Sequence, residues 1–405
     1  MFSGVRFPFD PLADSKAIAH AGTTKEILMP ISPMDEFLAH QTCETFDHVF
    51  TSDRNFYDRY YFNMHPSSDE LFLITGMGQY PNLGTTDAFV SVSHGETIYV
   101  VRASRELGSD RMQSRVGPFG FEVLEGLKKV RVYCEPNEWG LAFDLTFDGT
   151  VPAIEEPRTF QRYPHGRIHM DTSRYSQVGG WSGHLEVGGE SYTVTPDKWR
   201  GARDHSWGVR AIGEPEPPGI RVKGATTSGF GGFFHTWLPI QTEEGSLYKL
   251  FAEEDQDGNR HVEESAHVQT FESGGEIRTM GSPRFHFDYI SGTRELKGAR
   301  VELEDADGQP LEIVCTPLRT VYLAAGSGYI PNPDWSHGMY QGELKVEGKT
   351  FDISTPEARA ALGPLYETLS RYELSTGEVG YGLLENLVVG TYRPHGFNDP
   401  GAQAP

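Results

Sequence analysis

Apolar residues in this chain recur with a period of two far more often than with the longer period of a helix. Thr97-Ile-Tyr-Val-Val101, Val130-Arg-Val-Tyr-Cys134, Leu141–Phe147, Leu185–Val187, Leu247–Phe251 and Leu311–Val314 are short runs of β-branched and aromatic residues, several in alternation. Polar dipeptides ending in glycine separate such runs: His94-Gly95, Asp148-Gly149, Gly188-Gly189, Glu244-Gly245, Asp257-Gly258, Asp307-Gly308 and Glu347-Gly348. Glycine supplies the positive φ that a tight hairpin requires. Many short strands joined by hairpins predict an all-β protein of antiparallel barrels or sandwiches.

Helical signals are few. Ser32-Pro-Met-Asp35 caps a short helix through Phe37 and Leu38. Thr355-Pro-Glu357 opens a better one through Ala358, Leu362, Leu365 and Leu369, expected near 355–372 and kinked at Gly363-Pro364. The first 30 residues read as an irregular arm that wraps the surface. Gly213-Glu-Pro-Glu-Pro-Pro-Gly219 forbids regular structure and is the clearest linker, dividing the chain into 1–213 and 214–405. The Pro-containing segment Val151–Pro157 is set aside as a boundary because too few strands precede it to close a barrel.

A length of 405 residues favours two cores over one. The net charge of −22 repels a phosphate backbone, and with no basic run to offset it nucleic acid is not an expected partner. The same charge disfavours anionic membrane surfaces, although an apolar rim could make transient lipid contact. The three cysteines, Cys43, Cys134 and Cys315, are far apart and form no C-x-x-C pair, which points to a reducing, cytoplasmic location without a disulfide framework. Met1–Asp10 lacks the pattern of a signal peptide, and no apolar run reaches the length of a membrane span. Oligomeric state is not legible.

Known catalytic and nucleotide-binding motifs are absent from the sequence. There is no phosphate-binding P-loop, Gly76-Met-Gly78 lacks the third glycine of a dinucleotide fingerprint, and Gly180-Trp-Ser182-Gly183 misses the nucleophile-elbow spacing by one position. Glu253, Asp255, Asp257, Gly258 and Glu264 approach the spacing of a calcium loop. Their flanks read as strands, so a hairpin at Asp257-Gly258 is expected. His165 and His169 stand four apart, but Pro164 and Gly166 argue against a helical metal pair. No metal or cofactor is expected.

Candidate chemistry concentrates in Arg203-Asp204-His205-Ser206-Trp207-Gly208, preceded by Arg174-Tyr175-Ser176-Gln177 and followed by Phe233-Phe234-His235-Thr236-Trp237. Residues two apart on a strand share a face, so His205 lies beside Trp207 and His235 beside Trp237. The cluster from Asp53 to Tyr61 reads as a half-buried strand with solvated charges. Asp334-Trp-Ser-His337 reads as a loop with an exposed or capping tryptophan, and Glu253 and Glu254 as surface carboxylates.

Asp204-His-Ser-Trp-Gly208 resembles the characteristic segment of the hydroxyneurosporene synthase (carotenoid 1,2-hydratase) family of tandem lipocalin-like proteins. The stretches at 174–177, 233–237 and Gly380-Tyr-Gly-Leu-Leu-Glu385 are similar to its bacterial branch of unassigned function. The resemblance covers roughly residues 40–395, and only the Asp-His-x-Trp-Gly segment is distinctive. It implies two consecutive antiparallel lipocalin-like (calyx) barrels, with hydration of isoprenoid double bonds and no cofactor. Fungal members that close rings show that the fold does not fix the reaction.

Hydrating an isolated alkene requires a strong acid in a dry pocket and a π face over the cation. The resemblance lands on Asp204 as acid, His205 as its partner and Trp207 as the cation-stabilising ring. His235, Trp237, Gln177 and Tyr248 are the expected ligand-binding residues. Two physical objections stand. On a regular strand Asp204 points away from His205 and Trp207, and pairing with Arg203 or Arg210 would spoil it as an acid. Two functions remain open: a cofactor-independent hydratase or isomerase acting on a large apolar isoprenoid or steroid-like molecule, and a carrier that only encloses such a ligand.

Overall fold

The computed structural model describes residues 31–163, 166–210, 232–330, 332–363 and 365–405. The first 30 residues, His165, Pro364 and the linker Gly213–Gly219 lie outside them. The described chain is nearly all β, arranged as two antiparallel barrel-like sheets of 14 and nine strands.

The first sheet runs from Leu344–Asp352 at one edge through Thr97–Glu106, Thr85–His94, Leu71–Tyr80 and Phe56–Met64. It continues through Arg200–Val209, Ile168–Val187, Leu141–Gly149, Lys129–Cys134 and Phe119–Glu125 to Arg115–Val116. Three short strands attach to Ile168–Val187. In the second sheet Gly232–Thr242 is central, flanked by Leu247–Asp255 on one side and Val379–Gly390 on the other. Leu344–Asp352 lies beyond the linker in sequence yet closes the edge of the first sheet, pairing with Thr97–Glu106.

Alternation decides what each strand buries. Along Phe56–Met64, Phe62 and Met64 turn into the first sheet with Phe119, Phe147 and Trp181. Tyr61 turns the other way and joins Phe72, Ile74 and Phe89 against Trp237, Phe251, Leu369 and Leu383 of the second sheet. Leu71–Tyr80 is apolar on both faces because one fills the calyx and the other the seam between sheets. The inner face of the second sheet is packed by Leu238, Ile240, Leu250, Val301 and Ile313.

Several sequence expectations change here. The helix expected near 355–372 is one turn, Pro356–Ala360, capped by the Thr355 side chain. Gly363 adopts φ +93, and Tyr366–Leu374 is a strand between Pro310–Tyr322 and Val379–Gly390. The helical spacing of Leu362, Leu365 and Leu369 loses to the alternation of Thr368, Ser370, Tyr372 and Leu374 and to the pairing it permits. Ser32 does cap a short turn, Pro33–Glu36, of 3-10 type. Glu347-Gly348 is not a turn but mid-strand, and a Cβ at Gly348 would overlap the Trp139 indole packed on it. Asp257-Gly258 is the expected hairpin, with Gly258 at φ +83.

Trp335 sits in a loop as read, but it is buried under the Arg102 guanidinium, 4.3 Å from the ring centroid. Glu253 and Glu254 are buried, not surface carboxylates. Arg59 is buried too, contrary to the solvated charge expected there. It donates to the Tyr80 hydroxyl at 2.6 Å and pairs with Asp87 at 3.4 Å.

Candidate functional site

The strand Arg200–Val209 lies between Phe56–Met64 and Ile168–Val187 with regular register on both sides. No bulge intervenes, so its residues alternate faces through the whole candidate segment. His205 faces a cavity in the first sheet, and Asp204 faces a separate one at the seam.

The larger cavity has a volume of about 670 Å³. Met34, Phe50, Phe56, Met77, Phe121 and Val123 are the main apolar part of its lining, and Asp58, Tyr60, Gln79, Arg111 and His205 line it together with the polar His40, Glu44, His48, Arg59 and Glu122. His205 Nε2 donates to Asp58 Oδ1 at 2.7 Å, and Arg111 Nη2 donates to Asp58 Oδ2 at 3.1 Å. Burial works against the Asp58 anion, but His205 and Arg111 outweigh it and hold the carboxyl below its usual range. A carboxylate can only accept, so Nε2 carries the imidazole proton. In the neutral imidazole Nδ1 is then the acceptor, and the Tyr175 hydroxyl lies 3.2 Å from it. The rings of Tyr60 and Trp207 lie 4.5 and 5.5 Å from that of His205. Trp207 is 38% exposed and lines neither cavity.

The smaller cavity, about 60 Å³, lies at the seam and is lined by Asp204, His235, Trp237, Glu367, Glu385 and three arginines, among others. Burial pushes the Asp204 carboxyl up to about 6 against the pull of Arg174. Burial, then Glu385 and Asp204, raise Glu367 well above the carboxylate range. For His235 burial opposes the charge, but Glu385 and Glu253 raise it to about 9. Its Nδ1 lies 3.1 Å from Glu253 and its Nε2 3.4 Å from Glu385. The Trp237 indole donates to Glu156 at 3.0 Å, and Glu156 also pairs with Lys249 at 2.9 Å and Arg174 at 3.3 Å.

Of the expected residues, then, Asp204, His235 and Trp237 come together at the seam, while His205 and Trp207 stand on the other face. Gln177 lines neither cavity. It accepts from Arg203 Nε at 2.9 Å and donates to the carbonyls of Leu127 and Val151. Tyr248 is remote from both, its hydroxyl on Glu378 at 2.8 Å. Sequence reasoning missed Asp58, Arg111 and Tyr60. The available signal was Asp58 and Tyr60 two apart on one strand, and hence on one face. Among the described residues no group of three His, Cys, Asp or Glu side chains is placed to hold a metal ion, and no helix is long and apolar enough to cross a membrane.

Fold and site together describe an all-β protein with an apolar pocket in one sheet and a hydrogen-bonded histidine–carboxylate pair in its wall. The chain belongs to a family of unknown function, DUF8625, whose model matches residues 31–398. No curated protein matches it. Two solved structures are similar in chain architecture. One is a Nitrosomonas europaea protein provisionally assigned as AttH, with TM-score 0.49 and 16% identity, covering 84% of this chain and 96% of that one. The other is kievitone hydratase from Nectria haematococca, with TM-score 0.41 and 14% identity, covering 81% and 88%.

Proposed function

We propose that the protein encloses an apolar small molecule in the first sheet and carries out acid–base chemistry on it, with His205 as the proton-transfer group. The observation that carries this reading is the His205–Asp58 hydrogen bond in the wall of a cavity of about 670 Å³. That volume falls in the ordinary range of small-molecule pockets, about 300–1,000 Å³. The seam cavity, about 60 Å³, admits only a few water-sized groups. A large substrate therefore meets His205 and not Asp204.

Asp58 fixes the tautomer and compensates the imidazolium that forms when Nδ1 takes a proton. A water or substrate hydroxyl placed beside Tyr175 meets the same lone pair. Proton removal at one position and return at another supports hydration, dehydration or isomerisation of a double bond without an added group. General acid–base catalysis of this kind contributes roughly 10²–10⁴ in rate. In this reading Asp204, Glu367 and His235 form a structural charge network between the sheets.

The test has two arms. Small molecules that co-purify with the protein are identified by mass spectrometry and compared with those held by Met77→Trp, which fills the pocket. The identified ligand is then incubated with wild type and His205→Gln. Loss of ligand in the first variant, and loss of conversion with retained ligand in the second, support the reading. Retained ligand in Met77→Trp contradicts the pocket. Unaltered ligand in the wild-type incubation leaves a carrier and contradicts the chemistry.

A further inference from the structure

The cavity at the seam is walled by groups of opposite charge, one sign gathered on each sheet. From the first sheet come Arg59, Arg174 and Arg210, with Asp204 beside them, and from the second come Glu367 and Glu385. Strand register sets this up. Arg59 and Arg174 stand across from Ser206 on its two flanks, Tyr61 stands across from Asp204, and Glu385 stands between Trp237 and Glu367. Glu367 and Glu385 are thus directly opposite each other on neighbouring strands, a placement that is unfavourable for like charges unless something else meets them.

Half of these groups are already paired. Arg59 lies 3.4 Å from Asp87, Arg174 lies 3.3 Å from Glu156, and Glu385 lies 3.4 Å from His235. Among the described residues Arg210, Asp204 and Glu367 form no ion pair, and the Arg210 guanidinium rests on the Tyr57 ring at 4.5 Å. Glu367 is 3% exposed, and its Oε2 has no hydrogen-bond partner. The Nε atoms of Arg59 and Arg210, which line the same space, have none either. Buried polar atoms are almost always satisfied, and an uncompensated buried charge is costly. Donors on one wall and acceptors on the other are therefore left facing a common hollow.

Its size and charge narrow the occupant. At about 60 Å³ it holds roughly four to six water-sized groups, at about 10–15 Å³ each. Asp204, Arg174 and Glu385 are only half-buried, so among the described residues the hollow is reached past them. Water satisfies hydrogen bonds but brings no charge. An anion would meet Asp204 and Glu385, and a cation would meet three arginines, whereas a molecule with both charges suits both walls.

We infer that the seam binds a small zwitterion, a short amino acid, with its carboxylate toward Arg210 and Arg59 and its ammonium toward Asp204 and Glu367. The site is independent of the His205 pocket. Its ligand bridges the two sheets and completes the charge network between them, so binding stabilises the folded state by mass action.

The experiment titrates millimolar glycine into wild type, followed by calorimetry and by thermal unfolding, beside acetate, methylammonium and leucine at matched ionic strength. Glycine binds and raises Tm. Acetate and methylammonium, each with one charged end, and leucine, which is too large, bind at least tenfold more weakly. Arg210→Met and Asp204→Asn each lose at least tenfold in glycine affinity. Asp204→Asn keeps the fold, because it removes a carboxylate that the protein leaves unpaired, and it decides the matter where Arg210→Met does not fold. Absence of glycine binding to wild type means that water alone fills the hollow and overturns the proposal. Equal Tm shifts with glycine and with acetate, methylammonium or leucine overturn it too, as does glycine affinity unchanged in Asp204→Asn.

Discussion

His205 Nε2 lies 2.7 Å from Asp58 Oδ1, and the two residues come from adjacent strands whose register sets Tyr60 directly across from His205. The bond survives on the pocket wall because Arg111 balances the carboxylate from its other side. Neither residue is needed to hold the strands together, since the backbone ladder does that. Their conversion to neutral isosteres should therefore separate chemistry from folding.

Asp58→Asn removes the negative charge and replaces one accepting oxygen by a donor, so the imidazole tautomer and the imidazolium lose their fixed partner. Turnover should fall by roughly 10²–10⁴, the range set by the loss of a general acid–base group. Ligand affinity should stay within a few-fold, measured by equilibrium titration. A matching loss of affinity would reassign Asp58 to ligand contact.

His235 carries a pH-dependent share of the stability. Its folded pKa of about 9 stands above the usual 6.5, because Glu385 and Glu253 outweigh burial. A raised histidine stabilises the fold fully below the ordinary pKa and loses that contribution as pH climbs from about 6.5 through about 9. Thermal unfolding across that interval should show wild type losing stability. His235→Gln should start lower and vary much less.

Asp204→Asn should stabilise the protein at neutral pH. The carboxyl titrates at about 6 in the fold against 3.8 when unperturbed. The fold prefers the protonated form, so wild type loses stability as pH rises from about 4 to about 6 and carries the penalty above that. At about 1.4 kcal/mol per pKa unit, the gain in the variant is at most roughly 3 kcal/mol at pH 7 and vanishes below pH 4. Urea unfolding at pH 4 and pH 7 measures it. A destabilised variant at pH 7 would mean that the Arg174 and Arg210 pairings dominate.

Gly348→Ala tests the seating of the edge strand contributed from beyond the linker. The added methyl meets the Trp139 indole, which has little room to move beside the calyx core. Overpacking of this kind costs about 1–3 kcal/mol. Chemical unfolding should show that loss, and a neutral change would mean that the ring shifts freely.

The all-β class and most strands were legible because alternation and glycine turns act locally. The 355–372 helix was misread because leucines at helical spacing also fit a strand whose alternate residues are small, and only pairing with two neighbours decides between them. The opposed facing of Asp204 and His205 followed from strand geometry alone. What the sequence hid was long-range placement: Asp58 beside His205, Arg59 beneath a loop some 280 residues later, and Leu344–Asp352 on the first sheet. Gln177 and Tyr248 drew notice as polar groups near aromatic strands, but their hydrogen bonds are spent on the protein itself.

The most direct measurement is uptake of solvent label into the bound molecule. Protein with its co-purified ligand is held in deuterated, heavy-oxygen water, and the ligand is then extracted and weighed by mass spectrometry. Wild type should incorporate deuterium or oxygen at a fixed position, and His205→Gln should hold the same ligand at natural mass. Equal labelling in both proteins, or ligand recovered unlabelled from wild type, would contradict proton transfer by His205.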